Sequence, residues 1–429
     1  MRYTPIDSNL FIQNRKRLAN KMAPGSIAFF NSNDEFPRNG DMAHKYRQNS
    51  DLFYLSGIDQ EESILVIFPD SPIAEYKEVL FVKKTNEHIE IWEGHKYSKE
   101  EATATSGIKN VQWLEDFDTI RDMLMKRADN VYLNANENDR YVHAVDYRDM
   151  RFGKALKNLF PNHQYHRAAP FMRDLRAIKS AEEIRMLQNA CDITEKAFRR
   201  VLKFVKPGVN EYEIEAEVIH EFIRNGATGH GYNPIVASGR NACVLHYNDN
   251  DKICKDGDLI LFDFGAEYGN YNADLSRTIP VNGRFTPRQK DVYNAVRHVM
   301  VEAMKLLKPG NVIDEYHKQV GELMTEQLLN LKLLSTDEVK NQNPKLPAYK
   351  KFFMHGTSHH LGLDVHDLGD RHAKMEPGMV FTCEPGIYIL PEEIGIRLEN
   401  DMVVTSGEVN DMMRNIPIEA DEIEEIMNS

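Results

Sequence analysis

His355-Gly356-Thr357-Ser358-His359-His360-Leu361-Gly362-Leu363-Asp364-Val365-His366-Asp367 decides how the rest of the chain is read. The segment holds four histidines, two aspartates and two glycines. Imidazole is the commonest protein ligand for divalent metals and exchanges protons near neutral pH. A plain core helix or strand has no use for it at this density. Two acids lie upstream in strand-like segments, Asp263 and Asp274, and two lie downstream, Glu384 and Glu399. The expectation is a chain folded so that these four carboxylates and one imidazole meet around a pair of metal ions.

Outward from that segment the chain repeats itself. Lys206-Pro207-Gly208 closes one long helical pattern and precedes another at about 211–225, and Lys308-Pro309-Gly310 does the same between about 287–307 and 312–330. Each helix pair leads to a histidine-bearing segment and then a strand. Gly257-Asp258-Leu259-Ile260-Leu261-Phe262-Asp263-Phe264-Gly265 and Gly378-Met379-Val380-Phe381-Thr382-Cys383-Glu384-Pro385-Gly386 share one layout, an acid six residues after the first glycine and a second glycine two further on. A second acid follows each after a turn, Asp274 in one and Glu399 in the other. The same order twice predicts two pseudo-symmetric α+β halves with the acids meeting between them. The turn Glu267-Tyr268-Gly269-Asn270 returns Asp274 beside Asp263, and a turn over 391–395 does the same for Glu384 and Glu399. The stretch 331–350, rich in Lys, Asn and Pro, reads as a loop inserted in the second half.

Four carboxylates brought together repel one another and are costly to bury unpaired. Cations are the natural compensation. An oxygen-rich set with one imidazole suits two hard or borderline divalent ions, with Mn²⁺ the expected one. Such a pair activates water and polarises a carbonyl, the machinery of metal-assisted hydrolysis. His360, His220, His298 and His317 are read as structural. The acids over 421–425 are read as the solvated face of a terminal helix.

At 429 residues the chain is long for one core, so two domains are expected, 1–170 and 171–429. The first reads as a mixed α/β domain. A helix covers about 8–22, strand-length apolar runs fall at 27–30, 52–55, 64–68, 79–82 and 131–133, and helical patterns lie around 99–107 and 115–127. The polar patch from Asp41 to Gly57 reads as a loop, and Trp92 as core, with a peptide cleft as its alternative. Past the seam, Ser180-Ala181-Glu182-Glu183 has the form of a capping box. A net charge of −13, from 66 acids against 53 bases, opposes nucleic-acid and anionic-membrane binding. No run reaches the roughly 18 apolar residues of a membrane helix. The N-terminus lacks a signal-peptide core. Four cysteines without CxxC spacing read as reduced thiols. A cytoplasmic protein is expected.

The stretch 355–367, with Asp263-Phe264-Gly265, Asp274, Cys383-Glu384-Pro385-Gly386 and Gly395-Ile396-Arg397-Leu398-Glu399, resembles metallopeptidase family M24, and within it the aminopeptidase P branch. Tyr46-Arg47-Gln48-Asn49-Ser50-Asp51-Leu52-Phe53-Tyr54-Leu55 is similar to that branch's N-terminal domain. The resemblance implies a pita-bread (creatinase/aminopeptidase-like) catalytic domain behind a separate N-terminal domain. It implies Asp263, Asp274, His359, Glu384 and Glu399 as metal ligands, with Asp274 and Glu399 bridging the ions. It gives Glu384 the further task of moving a proton from the attacking water to the leaving nitrogen. His246 would stand beside the scissile bond, His355 and His366 on substrate oxygens, and Arg397 behind the ligand carboxylates. Asp41 falls where a neighbouring subunit reaches over the site in some relatives. Asn400 departs from the acid many relatives carry there. The implied activity is removal of the first residue from peptides with proline second, by a homodimer or homotetramer. A dipeptidase acting on Xaa-Pro alone is the alternative on the same scaffold. A metal-free binding module is a third reading, which five intact ligands oppose.

Overall fold

Pairing of the short apolar runs builds the first unit of the chain, Thr4–Leu175. The computed structural model describes residues 2–138, 140 and 144–429. The six-stranded sheet of this unit runs Val111–Trp113, Glu78–Val82, Ile64–Ile67, Ser26–Asn31, Asn130–Leu133 and Gln164–Arg167. The Ile64–Ile67 strand is antiparallel to both neighbours, and the other pairings are parallel. Ile27, Phe29, Val66, Val79, Phe81 and Val131 are buried in one cluster with Phe117, whose ring meets Phe81 edge-on at 5.1 Å. Helix Ser8–Ala19 starts at Asp7, whose side chain accepts from Asn9 N–H.

Three expectations for this unit fail, the first being a loop over 41–57, which carries strand Met42–Ala43 and helix Ser50–Ser56. Residues 52–55 are not a strand but the middle of helix Ser50–Ser56. Asn49 caps that helix by accepting from Asp51 N–H and Leu52 N–H, and Gly57 ends it in the left-handed region at φ 68°. A short apolar run buried on every side has no period to separate strand from helix, and the cap decided. Trp92 is not core: it is 77% exposed on helix Glu87–Glu93, which buries none of its residues. Asp41 is exposed at the turn between the short strands Pro37–Asn39 and Met42–Ala43.

The second unit comprises Arg176–Ser429 and the extreme N-terminus up to Tyr3. Its helix Ala181–Phe204 opens on the Ser180/Glu183 capping box. The repeat is visible in the backbone. Gly208 N–H donates to Cys254 O at 2.9 Å and Cys254 N–H returns to Val209 O at 2.9 Å; Gly310 N–H donates to Met375 O at 3.0 Å and Met375 N–H returns to Asn311 O at 2.7 Å. Gly208 and Gly310 share a left-handed φ, 93° and 89°, so the same glycine turn leads into each second helix, Glu211–Arg224 and Ile313–Asn330.

Strand Leu259–Phe264 then pairs antiparallel with Leu275–Pro280, and Val380–Cys383 with Asn400–Val403. Between each pair sits a small hairpin, Ala266–Tyr268 with Tyr271–Asn272 and Gly386–Ile389 with Ile394–Arg397. The two pairs differ in register. Asp263 lies opposite Ser276 within its ladder, whereas the second ladder ends at Cys383 opposite Asn400, with Glu384 and Glu399 one residue beyond it. The halves meet where Glu399 N–H donates to Ser276 O at 3.0 Å and Arg397 N–H to Thr278 Oγ1 at 3.2 Å. The 331–350 stretch is not loop alone, since it carries helix Thr336–Lys340. The acidic tail forms helix Ala420–Met427 with Ile423 buried. Among the described residues no helix is long and apolar enough to cross a membrane, and the four cysteines are free thiols.

The second glycine of each motif is required by close approach. A Cβ on Gly265 would lie 1.6 Å from Ala273 O, where the backbone crosses itself between Asp263 and Asp274. Gly265→Ala is expected to cost about 3 kcal/mol or more, because rigid backbone must move. Scanning calorimetry should read a Tm lower by roughly 6–12 °C for a unit of this size.

Candidate active site

Strand pairing delivers the acids, and a three-rung ladder delivers the histidine. Leu361 N–H donates to Val380 O, Thr382 N–H to His359 O and Glu384 N–H to Thr357 O, at 3.1, 3.0 and 2.8 Å. Residues 357–361 therefore run beside the strand that ends in Glu384. Successive residues of an extended chain face opposite ways. His359 Nε2 stands 3.5 Å from Asp274 Oδ2 and 3.9 Å from Glu384 Oε1, while His360 turns away onto the Phe381 ring at 4.4 Å. Asp274, His359 and Glu399 each offer a ligand atom within 4.8 Å of the others. Asp263 joins them through Tyr232, whose hydroxyl lies 2.6 Å from Asp263 Oδ1 and 2.6 Å from Asp274 Oδ1. All five expected ligands are thus brought to one place.

Their surroundings fit a cationic occupant. Burial, then the charge of Asp263, holds the Asp274 carboxyl well above its usual range. Burial followed by Asp274 and Glu384 does the same to Glu399. Glu384 is pushed up to about 7 by burial, with His359 and Arg397 pulling against it and Asp274 adding to it. His359 Nδ1 bonds His360 O at 2.9 Å, so that nitrogen carries a proton and Nε2 is the atom turned toward Asp274 and Glu384. A backbone bond to Nδ1 is the usual support of an imidazole that ligates through Nε2. Four carboxylates and one imidazole form an oxygen-rich donor set of the kind that holds divalent ions.

A second tier of polar groups orients the acids. Arg397 donates to Asp263 Oδ2 at 2.6 Å, to Ser276 Oγ at 2.8 Å and to Tyr388 Oη at 3.0 Å. Ser276 Oγ in turn donates to Glu399 Oε2 at 2.8 Å. Having accepted from Arg397, the Tyr388 hydroxyl donates to His355 Nε2 at 2.8 Å, and His355 Nδ1–H reaches Gly356 O at 2.7 Å. Burial, then Arg397, lowers His355 to about 3, so this ring is neutral. Both of its nitrogens are engaged, and it takes a substrate oxygen only by exchanging one of these bonds. His355 Nδ1 also stands 3.6 Å from Glu384 Oε2. The ring of His366 meets that of His359 edge-on at 4.3 Å and is exposed. His246 is exposed on the chain after the turn Gly239–Cys243.

Asn400 both accepts and donates, and an ionised acid there would do only the first. Its Oδ1 accepts from Arg277 Nη2 at 2.7 Å and its Nδ2 donates to Asp411 Oδ2 at 2.8 Å. His317 bonds Ser358 O at 3.2 Å, bracing the histidine segment. Sequence reasoning missed Tyr232, Ser276 and Tyr388. The one local signal for Tyr232 was its place after Gly229-His230-Gly231, ahead of the acid-bearing strands. Ser276 and Tyr388 carried none.

Comparison with known proteins gives one consistent family. The profile of metallopeptidase family M24 matches residues 185–406, and that of the aminopeptidase P N-terminal domain matches 11–132. The chain is 36% identical to the Xaa-Pro aminopeptidase of Escherichia coli (strain K12), over 98% of each chain. The solved structure of Pseudomonas aeruginosa aminopeptidase PepP superposes with a TM-score of 0.91 at 33% identity, covering 99% of this chain and 98% of that one. A glutamate-to-alanine variant of Escherichia coli aminopeptidase P, solved in complex with substrate, has a TM-score of 0.88 at 34% identity, over 99% of each chain.

Proposed function

The chain belongs to metallopeptidase family M24, and on that premise we propose that it is an Xaa-Pro aminopeptidase, a hydrolase with the pita-bread catalytic fold. The observation that carries this reading is the convergence of Asp263, Asp274, His359, Glu384 and Glu399 from two related halves of one unit. These five residues would hold two divalent ions, with Mn²⁺ proposed as the metal. When bound, the ions supply Lewis acidity, lowering the pKa of water and polarising the scissile carbonyl.

The chain's own groups do the rest. Glu384 takes a proton from the attacking water and hands it to the proline nitrogen as the bond breaks. His246, His355 and His366 bind and orient the substrate oxygens, and His355 exchanges its bond to Tyr388 or Gly356 to do so. Arg397 holds the Asp263 carboxylate in place by donating to its Oδ2. The substrate bond is a tertiary amide with no N–H and a fixed φ, so an enzyme that grips the amide N–H of ordinary peptides stalls on it.

The matched spans leave 133–184 between them, which supports a functional boundary near residue 170. Free thiols at all four cysteines support a cytoplasmic location. Assembly as a homodimer or homotetramer completes the proposal, with peptides bearing proline second as substrates and neither nucleic acid nor membrane as partner.

A peptide-length series tests the activity. With Mn²⁺, Xaa-Pro-Xaa tripeptides should lose their first residue, and the same peptides with alanine second should stay intact. Cleavage confined to Xaa-Pro dipeptides would reassign the chain as a dipeptidase. Tripeptides left whole at every metal tried would end the reading.

A further inference from the structure

Asp274 and Glu399, one from each half, have their backbones tied to the opposite half. Glu399 N–H donates to Ser276 O at 3.0 Å. The reciprocal bond is made by a side chain: Asp274 N–H donates to Asp401 Oδ2 at 3.0 Å. Asp401 lies in strand Asn400–Val403 and is fully buried. Its Oδ2 also accepts from Cys191 Sγ at 3.4 Å, and its Oδ1 has no hydrogen-bond partner among the described residues. The charged groups nearest it, Asp274 and Asp411, are themselves acids. An apolar residue would fill such a place at lower cost. What Asp401 supplies is an acceptor for an amide that sits at the crossing of Gly265 and Ala273, where the backbone is already as close as it can come.

We infer that Asp401 is a positioning residue for the metal site: by accepting the Asp274 amide it holds that carboxylate on the ions from the other half of the fold. The inference rests on reading Asp274 as a ligand. Tyr232 fixes the carboxylate end of Asp274 and Asp401 its backbone end, so removing either frees a different torsion. Outer partners of this kind are worth 10–100-fold in metal affinity.

Equilibrium dialysis of the metal-free full chain against Mn²⁺ tests it, using wild type, Asp401→Asn and Asp401→Leu. Asparagine keeps an oxygen for the amide, and leucine removes it. Asp401→Leu should bind Mn²⁺ about 10–100-fold more weakly, while Asp401→Asn stays within about threefold of wild type. The visible spectrum of the Co²⁺-loaded protein should change in Asp401→Leu alone. Hydrogen exchange at the Asp274 amide should be slow in metal-free wild type and Asp401→Asn. Equal affinity in wild type and Asp401→Leu would overturn the inference, as would Asp401→Asn binding as weakly as Asp401→Leu. Fast exchange of that amide in wild type would overturn it without any variant. Wild type that binds no Mn²⁺ would instead sink the metal reading beneath it.

Discussion

Glu384→Gln is expected to lower kcat on an Xaa-Pro-Xaa tripeptide by about a thousandfold or more, with metal content unchanged. Glutamine keeps a carbonyl oxygen for the metal but neither takes a proton from water nor gives one to a leaving nitrogen. A positioned carboxyl contributes roughly 10²–10⁴ to such transfers, and a thousandfold corresponds to about 4 kcal/mol of barrier. The site offers no ready substitute. His355, whose Nδ1 is 3.6 Å from Glu384 Oε2, is held neutral and already bonded at both nitrogens. Steady-state kinetics with parallel metal analysis reads the result. A variant with two ions and kcat within about tenfold of wild type would move the proton transfer to another group.

Chelation is expected to abolish hydrolysis and to reverse the pH dependence of stability. Without ions, Asp274 and Glu399 hold their protons well above the usual carboxylate range, and Glu384 holds its proton to about 7 against an ordinary 4.5. The folded state then binds these protons more tightly than the unfolded chain. Their contribution to stability is complete below the unfolded value and is lost as pH rises through the folded one. The Tm of the chelated protein should therefore fall between about pH 5 and pH 8. With Mn²⁺ the sign turns over, because raising pH deprotonates the ligands and favours binding. Free Mn²⁺ at a hundred times its Kd adds about 2.7 kcal/mol, so the gap between the two melting curves should widen with pH. A chelated protein whose Tm is flat or rises over that range would show that the acids do not repel one another as placed.

Much of this site was legible because its signals are local. The paired Lys-Pro-Gly turns, the glycines two residues past each acid and the capping box at Ser180 are short motifs, each recognisable within a few residues of sequence. That is the range over which a one-dimensional pattern holds information. Tyr232, Tyr388 and Asp401 were not legible. Tyr232 reaches Asp274 across 42 positions and Asp401 reaches it across 127, and an isolated tyrosine or aspartate carries no mark of a partner so far away. The misread strand at 52–55 fails for a related reason, since burial on all sides erases the periodicity that separates the two regular structures.

From its sequence alone the chain determined the four acids, the histidine-rich segment and the twofold order in which halves present them, because spacing and glycine placement are written in the backbone. The family resemblance singles out His359 over His360, and only the tertiary structure supplies the physical reason. His359 and His360 are chemically alike, and an extended strand must turn one toward Asp274 and the other toward Phe381. Which way it turns is set by the ladder with the strand ending in Glu384, a partner more than twenty residues away.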